Sequence, residues 1–206
     1  MVQNATFSLE QTYWDQGILA VCGIDEVGMG ALAGPVVAGA VIFSAGADIS
    51  GLRDSKKLSA RQRETLVNTI CEQATAWAIG EASVAEIFSL NIRKASHLAM
   101  RRAVEGLSLR PELLLIDGNP VQIHEQIPAV NIIKGDSLSN SIAAASIIAK
   151  VHRDSIMTAL HKEFPVYDLA GNKGYGSAAH MAALREYGAM AHHRAAYAPV
   201  AAVLHN

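Results

Sequence analysis

Three short apolar runs in this chain each close on an acid and then a turn, and this repeat constrains the fold more than any other feature. The first, Val21 to Val27, reads VCGIDEV and places Asp25 and Glu26 just ahead of the glycine turn Gly28-Met29-Gly30. The second, Leu113-Leu114-Leu115-Ile116, ends in Asp117 and Gly118-Asn119-Pro120; the third, Val130 to Ile133, runs into Lys134-Gly135-Asp136. Continuous apolar runs of about four to eight residues between turn signals read as strands buried on both faces. An acid at the end of such a strand is costly unless something binds it. If the three strands share a sheet and point the same way, four carboxylates meet at one place.

The remaining pattern supplies the rest of an α/β fold. Val36 to Phe43, VVAGAVIF, is a further buried strand that a short connection pairs with the first as a hairpin. Trp77 to Val84 reads as another strand. Helices are predicted from Ala60 to Ala74 behind the N-cap Ser59, from Asn91 to Gly106, from Ser137 to Phe164 with Pro165 as its stop, and from Ala178 to Tyr187. On this reading Asp136 lies at a helix N-terminus, whose dipole favours the ionised carboxylate. At 206 residues the chain holds one sizeable core. We expect one domain over 1–206, with an irregular lead-in over 1–17 and a C-terminal segment from about residue 166.

Half of the residues are apolar and 17% are charged, which excludes a disordered chain. Cys22 and Cys71 have no CxxC spacing, so a disulfide framework or a zinc site is not expected and a reducing, cytoplasmic setting fits. The N-terminus lacks the basic-then-apolar order of a signal peptide, and no run approaches the roughly 18 apolar residues of a membrane span. A net charge of -2 gives no general attraction to nucleic acid, so any such partner must be met by local cations.

Four converging carboxylates repel one another unless cations neutralise them. Oxygen ligands without histidine or thiolate favour Mg2+ or Mn2+, and two such ions about 4 Å apart can clamp the attacking and leaving oxygens of a phosphodiester. Successive strand residues face opposite ways, so either the strand bends at Asp25-Glu26 or only one of the two is a direct ligand. A different enzyme class is suggested by Gly28-Met29-Gly30-Ala31-Leu32-Ala33, which fits the G-x-G-x-x-A of an NAD(P)-dependent oxidoreductase, with Asp48 downstream. That motif needs a helix opening at the glycines, whereas Gly34-Pro35 and a strand follow. Lys56, Lys57 and Lys173 can neutralise phosphates, and Tyr175, between two glycines, either stacks on a sugar or base or packs over the core. His180 and His192-His193 show no metal spacing and read as capping or packing residues.

Taken in order, GIDEVGMG, LRDSKKLS, LLLIDGN, KGDSLSNSIAAASIIAKVHRD and NKGYGSAAH resemble the bacterial ribonuclease HII family from about residue 20 to 200. The resemblance implies a ribonuclease H-like fold, a five-stranded mixed sheet flanked by helices with a helical C-terminal segment. It also implies hydrolysis of the RNA strand of RNA-DNA hybrids and incision 5' of a ribonucleotide embedded in duplex DNA, leaving 3'-hydroxyl and 5'-phosphate ends. Its catalytic, metal-holding carboxylates fall on Asp25, Glu26, Asp117 and Asp136. The loop that senses the ribose 2'-hydroxyl falls on Gly28, Met29 and Gly30, the junction tyrosine on Tyr175, and phosphate contacts on Ser55, Lys56 and Lys173. The expected cofactors are two divalent ions, and the expected agent is a monomer with no obligate protein partner. A non-catalytic binder of hybrid duplexes is the alternative from another class. One departure stands out: the family carries arginine where this chain has Met29, which predicts weaker, salt-sensitive substrate binding with the chemical step intact.

Overall fold

The computed structural model describes residues 5–52, 55 and 58–204. The first strand, β1 (Val21–Val27), pairs antiparallel with β2 (Val36–Ile42), which pairs antiparallel with β3 (Ala76–Ala82). On its other side β1 runs parallel to β4 (Leu113–Asp117), and β4 runs parallel to β5 (Ala129–Ile132), giving the order β3-β2-β1-β4-β5. The three acid-terminated strands are therefore neighbours that point the same way, as the sequence pattern required.

Helices cover both faces of this mixed sheet. One face carries α4 (Ile92–Glu105), whose Ala95, Ala99 and Ala103 pack with Cys22, Ile24, Leu114 and Ile116. The other carries α5 (Asn140–Glu163), whose Ala143 to Ala145, Ile147 and Ile148 pack with Val41 and Phe43. Two glycines set how closely α5 approaches. A Cβ at Gly23 would collide with the backbone of Ser141, and one at Gly39 with the Ala145 carbonyl. Gly39 lies directly opposite Asp25 in the β1-β2 register, so α5 is pressed against the sheet beside that acid.

Several expected boundaries move, each for a physical reason. The lead-in expected to be irregular contains α1 (Ser8–Trp14). Trp14 is buried, Phe7 stacks near both Trp14 and Phe43, and Glu10 accepts hydrogen bonds from the Ser139 hydroxyl and the Ser141 N–H. A polar helix of seven residues is held by such tertiary contacts rather than by propensity. The strand expected to reach Val84 ends at Ala82, because Ser83 and Glu86 form a capping box that opens α3 (Val84–Leu90). The long helix begins at Asn140 behind the cap Ser139, not at Ser137. Asp136 sits instead in a short 3-10 turn, Gly135–Ser137, preceded by Lys134 with a positive φ of 58°. At the start of α5 the Ser141 N–H donates to Glu10 and the Ile142 N–H to the Ser139 hydroxyl.

The helix α2 (Ala60–Gln73) starts at the predicted cap Ser59, paired with Gln62. The C-terminal part contains α6 (Leu169–Asn172), α7 (Ala178–Tyr187) and α8 (Ala198–Leu204). No helix among the described residues is long and apolar enough to cross a membrane.

Candidate active site

Register brings the acids together. Ile24 pairs with Ile116, so Asp25 and Asp117 stand side by side on adjacent parallel strands. Alternation along β1 sends Cys22 and Ile24 into the α4-side core and turns Gly23 against α5, which places Asp25 on the α5 face and Glu26 on the α4 face. β1 extends to Val27 and the chain turns at Gly28, so both acids lie at the strand end, one on each face of the sheet.

Asp25 is buried, and its own Oδ1 accepts from the Glu26 N–H at 2.8 Å. Asp117 Oδ1 accepts from the Gly135 N–H at 2.6 Å, which ties the end of β4 to the turn that carries buried Asp136. Burial first, and then the charges of Glu26, Asp117 and Asp136, raise the Asp25 carboxyl well above the usual range; a hydrogen bond from Ser146 pulls the other way. All four acids therefore act on one place electrostatically. Among the described residues no three histidine, cysteine or acidic side chains form a finished metal cage. The donor set is nevertheless all oxygen, which suits Mg2+ or Mn2+ and not a thiolate-seeking ion.

Ser146 is a residue that the sequence reading passed over, since it sits in an alanine-rich helical stripe. Its hydroxyl is 2.9 Å from that of Ser55, and both are buried. Ser55, expected at a phosphate, thus lies behind Asp25 in the interior. Lys56, also expected at a phosphate, lies outside the described residues, as do Arg53 and Lys57.

The glycine turn meets the tyrosine loop directly. Gly28 takes a φ of +94°, a conformation that favours glycine, and a Cβ there would run into the Arg153 guanidinium. Leu32 N–H donates to the Gly174 carbonyl at 2.8 Å, and Arg194 N–H donates to the Leu32 carbonyl at 2.8 Å. No helix opens at these glycines, because β2 follows; the dinucleotide reading of Gly28 to Ala33 is thereby overturned.

Two buried arginines, which sequence reasoning missed, hold the loops. Arg153 donates to the carbonyls of Pro35, Lys173 and Ala33 at 2.9 to 3.0 Å, and Arg194 to those of Gly34, Met29 and Pro35 at 2.9 to 3.1 Å. Neither has an ion-pair partner among the described residues. Burial pulls Arg153 down to about 10, which leaves it charged at neutral pH. Local sequence carries no signal of this task, since Arg153 follows Lys150 and His152 in SIIAKVHR and reads as part of a polar helix face. Tyr175 is 38% exposed with its ring 5.6 Å from the Arg153 guanidinium, and Lys173 Nζ donates to Thr158 Oγ1 at 3.2 Å.

The histidines do more than cap or pack. Met190 N–H donates to His193 Nδ1, so neutral His193 carries its proton on Nε2 and donates it to His180 Nε2 at 2.9 Å; His180 Nδ1–H then donates to the Tyr175 carbonyl. Both rings are buried, and burial, followed by the neighbouring His180 and His192, pulls His193 from 6.5 down to about 4. The folded protein refuses a proton that the unfolded chain accepts below about 6.5, so this histidine subtracts stability as pH falls from 6.5 towards 4. We expect a loss of up to about 3 kcal/mol across that window. Urea unfolding of the protein and of His193→Gln at pH 7.5, 6 and 5 checks this; the variant should show the shallower pH slope, and equal slopes would refute the assignment.

A family model described as Ribonuclease HII matches residues 22–200. The chain is 54% identical over 181 residues to the ribonuclease HII of Verminephrobacter eiseniae, covering 88% of this chain and 86% of that one. Among solved structures it is similar to the ribonuclease H2 of Pyrococcus horikoshii OT3, with a TM-score of 0.76 at 23% identity over 89% of this chain and 96% of that one. It is also similar to Bst-RNase HIII solved in complex with Mn2+, with a TM-score of 0.68 at 20% identity over 91% of this chain and 70% of that one. The two structural likenesses concern the fold.

Proposed function

The chain belongs to the ribonuclease HII family of ribonuclease H enzymes, endonucleases acting on the RNA of RNA-DNA hybrids, and from that premise we propose that it also incises 5' of single ribonucleotides embedded in duplex DNA. The products are 3'-hydroxyl and 5'-phosphate ends, formed by two-metal-ion catalysis. The observation that carries this reading is buried Asp25, beside Asp117 on the adjacent parallel strand and within electrostatic reach of Glu26 and Asp136.

Asp25, Glu26, Asp117 and Asp136 would hold two divalent ions, Mg2+ or Mn2+. When bound, these ions supply Lewis-acid activation of the attacking water and neutralise charge on the leaving 3'-oxygen. The chain's own contribution is positional. Asp117 is oriented by the Gly135 N–H and Asp25 by the Glu26 N–H and Ser146, so neither has to be ordered when substrate arrives. Gly28, Met29 and Gly30 present backbone groups at the ribose, with Tyr175 stacking beside them and Lys173 and Lys56 facing phosphates. Ser55 acts through Ser146 rather than on phosphate. We further propose that the protein is one domain over 1–206 and acts as a cytoplasmic monomer without an obligate protein partner; free Cys22 and Cys71 suit a reducing setting.

The test is cleavage of a duplex bearing one ribonucleotide against an all-DNA duplex and a full hybrid, with Mg2+ or Mn2+. We expect a single cut on the 5' side of the ribonucleotide and none in all-DNA. Cutting of the hybrid alone would remove the junction reading while leaving the enzyme a ribonuclease H.

A further inference from the structure

The sequence predicts that this chain, with Met29 in place of the family's arginine, lacks a cation beside the glycine turn. The structure shows where that side chain goes. Met29 packs against the α4-side core while its carbonyl is held by Arg194 and Tyr197. It forms one wall of a cleft of about 470 Å³ that also receives Glu26 and Asp117, the acids at the ends of β1 and β4. The cleft is also lined by α4, which contributes Arg93 and, one helical turn on, His97.

These two are not merely part of a solvated basic face. Arg101 on the same helix donates to the Ile123 carbonyl, and Arg102 is taken by Glu86 and the Glu81 carbonyl. Arg93 is exposed and has no hydrogen-bond or ion-pair partner among the described residues. His97 is half-buried, and burial together with the nearby Arg93 and Arg101 holds it towards its neutral form, leaving it a hydrogen-bond donor rather than a second cation. A ligand entering the cleft thus meets a cation and a neutral donor from α4 and two carboxylates from the strand ends. A nucleic-acid backbone fits that polarity, since the phosphate next to the one held at the acids needs a cation to offset their repulsion.

We propose that the cleft between the glycine turn and α4 binds a backbone phosphodiester of the duplex, with Arg93 supplying from α4 the cation absent at position 29 and His97 donating a hydrogen bond. This rests on the nuclease reading of the carboxylates, but its test reads binding and not cleavage. Affinity for a labelled duplex bearing one ribonucleotide is measured in EDTA across a range of KCl concentrations, and steady-state cleavage is measured separately. Arg93→Ala should weaken binding about tenfold at low salt and flatten the slope of log Kd against log salt by about one. It should raise KM and leave kcat at saturating substrate unchanged.

Adding Met29→Arg to Arg93→Ala should restore the slope, whereas Met29→Arg alone should change it little, because Arg93 already supplies the cation whose absence at Met29 is expected from the sequence to weaken binding. His97→Ala should cost two- to threefold with no change of slope. An all-DNA duplex should show the same Arg93 effect, because a phosphate contact does not read the 2'-hydroxyl. An unchanged slope in Arg93→Ala, or an equal loss in the neighbouring Lys94→Ala, would overturn the proposal, the latter by showing diffuse surface charge. A failure to incise at ribonucleotides with the Arg93 slope effect intact would count against the junction reading alone.

Discussion

Asp117→Asn is expected to remove cleavage, lowering turnover by on the order of a thousandfold or more at saturating metal, while duplex affinity in EDTA changes only a few-fold. The size follows from the role: a divalent ion contributes several kcal/mol of transition-state stabilisation, and each 1.36 kcal/mol is about tenfold in rate. The amide keeps the shape of the side chain and can still accept from the Gly135 N–H, so the β4 end and the Asp136 turn should stay in place. It removes one anion from the group that raises Asp25, so the fold should not be weakened. Single-turnover cleavage with Mg2+ and with Mn2+, beside urea unfolding of the same preparation, checks both halves. A variant that still turns over would end the assignment of Asp117 as a metal-holding carboxylate.

Arg153→Met is expected to destabilise the protein by about 3 kcal/mol or more, the largest stability effect that we anticipate from one side chain away from the acids. Its guanidinium is fully buried and spans the carbonyls of Ala33, Pro35 and Lys173. Methionine fills similar volume but leaves the Ala33 and Lys173 carbonyls without a donor, while Pro35 keeps Arg194; each orphaned acceptor costs about 1 to 3 kcal/mol, offset in part by no longer burying a charge. Arg153→Lys should recover little, because one ammonium cannot reach acceptors arranged for a planar fork. Urea unfolding at pH 7 measures both. A lysine variant as stable as the parent would show that only the charge matters.

The same geometry links stability to function. Arg153 underlies Gly28 and faces the Tyr175 ring, while Arg194 holds Met29, and the His180-His193 pair holds the Tyr175 carbonyl. The glycine turn and the tyrosine loop are thus built as one surface from buried cations and neutral histidines. Loosening any of these should reach the loops that face substrate before it reaches the sheet.

The sequence by itself determined the sheet and its acids. Apolar runs of strand length, each closed by an acid and a turn, specify buried strands because continuous burial leaves no other use for them, and four carboxylates at their ends specify hard cations. Ser59 and Pro165 marked helix limits through capping and a missing donor, whereas the Ser83-Glu86 capping box that opens α3 is missed by a sequence reading that extends the strand to Val84. What only the tertiary structure decided was anything set by contacts between segments far apart in the chain. The helix over Ser8–Trp14 exists because Glu10 and Trp14 find partners more than a hundred residues away or in the core. The faces chosen by Asp25 and Glu26 follow from strand alternation, yet what each meets, Ser146 on one side and the cleft with Arg93 on the other, depends on how α4 and α5 dock. Arg153 and Arg194 carried no local signal of their task, because a buried cation is defined by its acceptors, and those acceptors lie on loops that only the folded sheet brings within reach.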